Sequence, residues 1–244
     1  MRQRNLGVNI LVLTNLITIV FLAIVSLHYH VPLKILKRLG IIKNNEQIIS
    51  TYYDRSSLFT EYYPQQYRIV MLGDSITAGT AWNELLGITD IANRGIGGDT
   101  TEGFYNRLSN IYSLEPELCF IMGGINDIFR GTSVEIIDSN MEKIINALLE
   151  NKINPIIQST LYVSDKNPNW KKINDAVDSL NSGLKKICSE KGLIFLDINN
   201  VLSVNGTLKN EYTYDSIHLT GSGYKEWSKI IFSIIATHAC FSGN

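Results

Sequence analysis

Residues 68–77 of the chain are Arg-Ile-Val-Met-Leu-Gly-Asp-Ser-Ile-Thr, an apolar run that ends abruptly at Gly73-Asp74-Ser75. The apolar run predicts a buried strand, and the polar turn followed by further apolar residues indicates the start of a helix. A serine at such a turn projects its hydroxyl above the sheet edge, where the helix N-terminus supplies free amides and partial positive charge for an anionic intermediate. In the simpler alternative, Ser75 only caps the helix.

The same alternation of short apolar runs and longer amphipathic segments continues along the chain. Five strands separated by helices predict a parallel sheet covered on both faces, so the fold class is α/β. In such a sheet, ligands bind beyond the carboxyl ends of the strands. The predicted strands are residues 68–72, 88–93, 117–122, 155–159 and 193–198. The predicted helices are residues 76–86, 101–111, 133–151, 170–191 and 221–238.

Charge is distributed unevenly along the 244 residues. The chain contains 22 basic and 23 acidic side chains, but residues 1–43 hold six basic ones and no Asp or Glu. The remaining residues therefore carry a net charge of −7. A domain this acidic has no electrostatic surface for phosphate backbones, so no nucleic-acid partner is expected. The three cysteines are too few for a disulfide scaffold.

The N-terminal region contains an uncharged, largely apolar segment, residues 6–27. As a helix rising about 1.5 Å per residue, it would reach about 33 Å, which matches the hydrocarbon core of a bilayer. We predict a single-pass membrane anchor within residues 1–30. A cleaved signal peptide and a buried core helix are the alternatives.

Basic residues flank both ends of this segment, so the charge pattern determines orientation poorly. The short basic head before the segment is typical of a signal anchor, which favours an extracytoplasmic location for the large domain that follows. A basic juxtamembrane segment and a tyrosine-rich linker are predicted over residues 31–67. The soluble domain is then predicted to span residues 68–244.

A serine nucleophile requires a base, and the chain has only four histidines. Two of them adjoin the uncharged segment and a third lies near the C-terminus, which leaves His218. Asp215 precedes it by three residues, a spacing that lets one short turn bring the carboxylate to the imidazole. The alternative is a loop aspartate and histidine without a catalytic partner. Asp197 could also serve as the acid, but a role as a loop cap explains its position better.

Two glycine-rich segments follow the second and third predicted strands and could supply donors to a carbonyl oxygen. Residues 94–100 are Arg-Gly-Ile-Gly-Gly-Asp-Thr, and residues 123–127 are Gly-Gly-Ile-Asn-Asp. Glycine lets a backbone N–H approach a substrate closely, and Asn126 offers a side-chain amide. A dinucleotide-binding loop would need glycine in place of Thr100. The sequence contains no metal-ligand spacing and no phosphate loop, so neither a metal nor a cofactor is predicted.

Four sequence blocks in this order resemble the SGNH hydrolases, the GDSL esterase/lipase family. The blocks are Gly-Asp-Ser-Ile-Thr with Ser75, Gly-Ile-Gly-Gly-Asp-Thr with Gly98, Gly-Ile-Asn-Asp with Asn126, and Asp-Ser-Ile-His with Asp215 and His218. The second block is particularly similar to the catalytic subunits of platelet-activating-factor acetylhydrolase. Isoleucine replaces the usual leucine after the serine, a departure that touches no reacting atom.

The resemblance implies a three-layer α/β/α sandwich with a five-stranded parallel sheet, a flavodoxin-like arrangement. It also implies that Ser75 is the nucleophile, His218 the base and Asp215 the residue that orients it. The oxyanion hole would comprise the amides of Ser75 and Gly98 and the side chain of Asn126.

We therefore expect a serine esterase acting on short acyl esters of a glycan or of a lysophospholipid-like alcohol. An acyltransferase with a glycan acceptor and a non-catalytic glycan- or lipid-binding module are the alternatives. The oligomeric state is not predicted. Asp99 could contact substrate or hold its loop by hydrogen bonds, and Arg130 could contact substrate or be solvated. Further candidates for the substrate pocket are Phe129, Tyr162 and Ile217.

Overall fold

The computed structural model describes residues 45–61 and 66–241. The ten α-helices that it describes are α1 (Asn45–Glu61), α2 (Ser75–Ala78), α3 (Trp82–Leu86), α4 (Thr101–Asn106), α5 (Ser109–Tyr112), α6 (Ile125–Arg130), α7 (Val134–Glu150), α8 (Trp170–Lys191), α9 (Asn199–Leu202) and α10 (Gly221–Phe241). The strands are β1 (Ile69–Gly73), β2 (Ile91–Gly95), β3 (Leu118–Met122), β4 (Asn154–Gln158), β5 (Phe195–Leu196), β6 (Ser203–Val204) and β7 (Thr207–Leu208).

The first five strands form one parallel sheet in the order β2-β1-β3-β4-β5. Alternate side chains of β1 point to opposite faces, where each enters a separate apolar core. Ile69 and Met71 pack in the core that includes Trp227 of α10. Val70 and Leu72 pack in the core that includes residues of α4 and α7. The prediction of a three-layer α/β/α fold with a five-stranded parallel sheet is confirmed.

Two predicted helices are each interrupted. The helix predicted over residues 76–86 divides into α2 and α3, because the side-chain amide of Asn93 donates to the carbonyl oxygens of Thr77 and Thr80 and holds the chain in a turn there. The helix predicted over residues 101–111 divides into α4 and α5 on either side of Arg107. The guanidinium of Arg107 is directed into the protein and donates to the carbonyl oxygen of Gly73.

Helix α1 lies within the region predicted as a tyrosine-rich linker. Its buried aromatic side chain is Phe59, whereas Tyr53 is exposed. The guanidinium of Arg94 lies 4.5 Å from the centre of the Phe59 ring, and Thr60 donates a hydrogen bond to the side chain of Asn110. The end of α1 therefore contacts β2 through a cation–π interaction and α5 through a hydrogen bond.

The predicted membrane segment, residues 6–27, lies outside the described residues. Within residues 45–61 and 66–241, no helix combines the length and the apolar character needed to cross a bilayer.

Candidate active site

Three side chains from distant parts of the chain form a continuous series of hydrogen bonds at the carboxyl ends of the parallel strands. We call this series the catalytic line. Ser75 begins α2 directly after β1, and Asp215 and His218 lie in the loop before α10. The Nε2 atom of His218 lies 2.9 Å from Ser75 Oγ, and its Nδ1 atom lies 2.6 Å from Asp215 Oδ2. The imidazole can therefore accept the serine proton while the carboxylate holds the opposite ring nitrogen.

The loop around Asp215 fixes its carboxylate. Its Oδ1 atom accepts hydrogen bonds from the backbone N–H groups of Ile217 at 3.0 Å and His218 at 2.7 Å. Partial burial raises the pKa of Asp215, but the hydrogen bonds from the His218 ring and from these two N–H groups outweigh it. The net pKa lies below the ordinary value, so Asp215 is ionised at neutral pH.

A buried carboxyl group supports the turn that carries Ser75. Asp74 is fully buried, and its Oδ1 atom accepts a hydrogen bond from the N–H of Ile76 at 2.9 Å. Asp74 is therefore the cap of α2, and the alternative in which Ser75 caps the helix is wrong. Burial raises the pKa of Asp74 to about 7, and the nearby carboxylates of Asp99 and Asp127 contribute to the shift.

Three potential donors to a carbonyl oxygen lie beside Ser75. A Cβ atom added to Gly97 would lie 3.9 Å from the Cβ atom of Ser75, so the glycine-rich loop passes close to the serine. Gly98 has a φ of 75°, in the left-handed region that favours glycine. Among the described residues, neither the N–H of Ser75 nor that of Gly98 has an acceptor. Both are free to bind an oxyanion.

The side chain of Asn126 reaches the same loop from α6. Its Nδ2 atom lies 3.0 Å from the carbonyl oxygen of Asp99 and 3.4 Å from Asp74 Oδ2. The amide group is thus held next to Gly98, the neighbour of Asp99 in the chain. The structure brings together all the residues assigned to the oxyanion hole by resemblance.

Asp99 and Arg130 both act on the glycine-rich loop in this structure. The carboxylate of Asp99 is buried and accepts a hydrogen bond from Arg107 Nε at 2.7 Å, so it does not face a substrate. Candidate substrate binding by Asp99 is therefore wrong, and the loop-holding alternative describes it. Arg130 donates from Nη2 to the carbonyl oxygen of Gly98 at 2.7 Å, a contact that orients the adjoining peptide.

The other pocket candidates have different surroundings. Phe129 is 41% exposed and lines a cavity of about 290 Å³ together with Lys172 of α8. The Tyr162 hydroxyl donates to the carboxylate of Asp178, and Ile217 is half-buried against the core. Asp197 accepts a hydrogen bond from the N–H of Asn199 at 3.1 Å, which agrees with its interpretation as a loop cap.

Tyr214 is a neighbour of the catalytic line that the sequence analysis missed. Its ring is 72% exposed and lies nearly parallel to the His218 imidazole, with an interplanar angle of 16° and centroids 6.0 Å apart. Its position directly before Asp215 was the available sequence signal. The direction of its ring could not be predicted, because a single aromatic residue in a loop belongs to no periodic pattern.

The described part of the chain contains no group of three or more His, Cys, Asp or Glu side chains arranged to hold a metal ion. The buried carboxylates near the site have protein partners instead. Asp99 pairs with Arg107, and Asp127 accepts hydrogen bonds from both the backbone N–H and the hydroxyl of Thr101.

Solved structures share this fold. One of them, described as an acylhydrolase from Bacteroides fragilis, is 26% identical in sequence to this chain. The TM-score is 0.66, and the match covers 75% of this chain and 94% of that one. An acetyl-xylooligosaccharide esterase from Geobacillus stearothermophilus is 18% identical, with a TM-score of 0.58 over 68% of this chain and 92% of that one. The second similarity concerns the fold alone.

A curated relative is N-acylneuraminate cytidylyltransferase of Streptococcus agalactiae serotype V, 29% identical over 163 residues. The match covers 66% of this chain but only 37% of that enzyme, so the chain corresponds to a minor part of it.

The sequence pattern of the GDSL-like lipase/acylhydrolase family matches residues 71–226, which contain Ser75, Gly98, Asn126, Asp215 and His218. The chain therefore belongs to the GDSL-like lipase/acylhydrolase family.

Proposed function

We propose that the chain hydrolyses short acyl esters of a glycan through an acyl-enzyme on Ser75. The observation that supports this most strongly is the continuous line from Asp215 through His218 to Ser75, with distances of 2.6 and 2.9 Å. The free N–H groups of Ser75 and Gly98 beside the serine provide the complementary site for negative charge.

In the first half-reaction, Ser75 Oγ attacks the ester carbonyl carbon and its proton passes to His218 Nε2. The carbonyl oxygen becomes an anion bound by the amides of Ser75 and Gly98 and by the Asn126 side chain. The tetrahedral intermediate collapses when the bond to the alcohol oxygen breaks and His218 gives its proton to that oxygen. The alcohol leaves, and the acyl group remains on the serine.

In the second half-reaction, water gives a proton to His218 Nε2 and its oxygen attacks the acyl carbon. The bond to Ser75 Oγ then breaks, the proton returns to the serine, and the carboxylic acid is released. Asp215 stabilises the imidazolium that forms in each half-reaction, because its carboxylate remains ionised.

A glycan alcohol is supported by the chemistry named for the relatives. The curated relative is named for N-acylneuraminate, a sugar that carries an acyl group. We therefore place an O-acetylated sugar ahead of a lysophospholipid-like alcohol as the substrate class.

We also propose that residues 6–27 anchor the enzyme in a membrane, with residues 31–67 as the connecting segment and residues 68–244 as an extracytoplasmic catalytic domain. The support is the uncharged character and bilayer-spanning length of the segment. Placement at a cell surface would bring the domain close to polymeric glycans.

The test is a substrate panel with the purified full-length chain. The panel contains p-nitrophenyl esters from acetate to decanoate, O-acetylated xylo-oligosaccharide, O-acetylated N-acetylneuraminate and a lysophospholipid. We expect free acetate from at least one acetylated sugar and falling activity as the activated acyl chains lengthen. Transfer of acetyl to an added glycan, with little free acetate, would instead establish the acyltransferase alternative. Absence of turnover on every ester would contradict both.

A further inference from the structure

A second cavity, of about 430 Å³, lies between the loop after β4 and the β6–β7 hairpin. We call it the hairpin pocket, and its lining includes Asp165, Trp170, Asn205, Asn210 and Glu211. Its volume falls in the range of roughly 300–1,000 Å³ that is typical of small-molecule sites. None of these residues takes part in the catalytic line.

The hairpin pocket is attached to the loop that carries the catalytic acid and base. The N–H of Ser164, next to Asp165, donates to the carbonyl oxygen of Ser216 at 2.9 Å. On the other side, the hydroxyl of Thr220 donates to the carbonyl oxygen of Glu211 at 3.2 Å. Because Ser216 and Thr220 flank His218, the pocket adjoins the catalytic loop from two sides.

The polar groups in the hairpin pocket suit a sugar. Asn210 donates to Asp165 at 2.9 Å, which leaves further acceptor positions on that carboxylate. Asn205 and Glu211 are exposed and offer one amide and one carboxylate to ring hydroxyls. Trp170 is half-buried and provides an apolar surface for the C–H face of a sugar ring.

The charges around the pocket balance. Asp165 and Glu211 are acidic, whereas Lys209 lines the pocket and the ammonium group of Lys171 lies 5.5 Å from the centre of the Trp170 ring. With no surplus of either sign, the pocket offers no net attraction to an anionic ligand such as a phosphate headgroup or a uronic acid. A neutral sugar requires no such attraction.

We propose that the hairpin pocket is a glycan subsite that binds a neutral sugar unit of an oligosaccharide whose acetylated unit lies at Ser75. This inference rests on the proposed function, because it extends the glycan substrate beyond the reacting ester. The enzyme would then prefer acetylated oligosaccharides over acetylated monosaccharides.

Binding can be measured without turnover, because Trp170 is the only partly exposed tryptophan. The chain has three tryptophans, and Trp82 and Trp227 are 1% and 0% exposed. Titration of the full-length chain in detergent with xylotetraose or chitotetraose, neither of which carries an O-acetyl ester, should change its tryptophan fluorescence. The change should be absent in Trp170→Phe. No change in the parent with either sugar, or an equal change in Trp170→Phe, would overturn the subsite.

Kinetics separate the subsite from the reaction at Ser75. Trp170→Ala should raise KM for an acetylated tetrasaccharide about tenfold, and Trp170→Phe should restore most of the loss. Turnover of p-nitrophenyl acetate should stay within about twofold of the parent, because this small ester does not reach the pocket. The control is Tyr105→Ala, which removes an aromatic ring that is 46% exposed on α4.

An equal loss on both substrates in Trp170→Ala would show a structural role and overturn the subsite, as would an unchanged KM for the tetrasaccharide. If the parent cleaves p-nitrophenyl acetate but no acetylated sugar, the proposed glycan esterase fails. The fluorescence titration still decides the subsite in that case, because it requires no hydrolysis.

Discussion

The Nε2 atom of His218 lies 2.9 Å from the Oγ atom of Ser75, although the two residues are 143 positions apart in the chain. The helices that adjoin these residues are joined by a direct contact. The hydroxyl of Tyr224, in the first turns of α10, donates to the carbonyl oxygen of Ile76 in α2 at 2.7 Å. This hydrogen bond therefore joins the start of α10, which follows His218, to α2, which begins with Ser75.

Asn126→Ala should lower kcat by about 10²–10³, with little change in KM. The loss follows because a hydrogen bond to the oxyanion strengthens only as charge develops in the transition state. The measurement is steady-state kinetics on p-nitrophenyl acetate. Asn146→Ala, which removes an exposed amide that binds Lys191, is the control and should leave kcat unchanged. A variant impaired only in KM would show that Asn126 binds the ground-state substrate.

Arg130→Ala should lower kcat roughly tenfold and leave KM nearly unchanged. The guanidinium of Arg130 holds the carbonyl oxygen of Gly98, the residue whose N–H is a proposed donor to the oxyanion. The matched control is Arg68→Ala, which breaks a surface ion pair with Asp90 at the amino ends of β1 and β2, away from Ser75. The original alternatives for Arg130 predict other results. A substrate contact would raise KM, and a solvated side chain would change neither constant.

Asp74→Asn should change how stability depends on pH. Burial raises the pKa of Asp74 in the folded protein to about 7, whereas an unfolded aspartate titrates near 3.9. Between these pH values the folded state binds a proton that the unfolded state has lost. The parent's free energy of unfolding therefore falls as pH rises from about 4 to about 7.

The neutral amide of the variant lacks this titration, so Asp74→Asn should gain stability relative to the parent between pH 5 and pH 8. The gain across this window should be at most about 3 kcal/mol, because only about two pH units of the interval between the two pKa values lie above pH 5. Urea unfolding at both pH values measures it, with the exposed Asp175→Asn as control. A constant difference in stability between Asp74→Asn and the parent at the two pH values would show that Asp74 does not titrate in this range.

Much of the architecture could be predicted from hydrophobic periodicity. Helix α8 has the predicted bounds, residues 170–191, because its apolar stripe and the glycine after it are both strong local signals. The strands were located, but most of their ends differ from the predicted ones by one to three residues, and β5 is only two residues long where six were predicted. The start of a strand depends on its neighbours in the sheet and not only on its own residues.

The break after α2 has both a local and a distant cause. Gly79, at the C-terminal cap of α2, is a local signal for a helix end that the prediction of one helix over residues 76–86 passed over. The distant cause is Asn93 of β2, which donates to the carbonyl oxygens of Thr77 and Thr80 and could not be placed there from the local sequence. The β6–β7 hairpin could have been found. Asn205 and Gly206 both have positive φ, and this dipeptide is a strong signal for a tight hairpin turn.

The candidate site was located by motif order and by the expectation that strand ends converge. The structure shows that Ser75, Gly98, Asn126 and His218 lie together. The sequence could not reveal which aspartates are buried. Asp74 accepts a hydrogen bond from Asn126, and Asp99 accepts one from Arg107. Both donors are distant enough in sequence that these buried contacts could not be predicted.

The proposed membrane anchor predicts that the full-length chain stays in the membrane fraction after a carbonate wash, because apolar burial and not charge holds a spanning helix. Ile17→Arg places a charge at the centre of residues 6–27, which costs about 2.5–3.5 kcal/mol, and should increase release. Protease added to sealed cells should digest the domain if it is extracytoplasmic. Release of the parent by carbonate would contradict spanning, and a mature N-terminus beyond Ser26 would identify a cleaved signal.

The most direct test of the central claim is the site of covalent modification by a fluorophosphonate, which reacts with an activated serine. Peptide mass spectrometry should locate the added mass at Ser75. The Ser75→Ala variant should remain folded and unlabelled, and its kcat should be lower by about 10⁴–10⁶-fold. Ser164→Ala, a serine next to the hairpin pocket, should retain the label. A label on any other serine, or full activity in Ser75→Ala, would contradict the account.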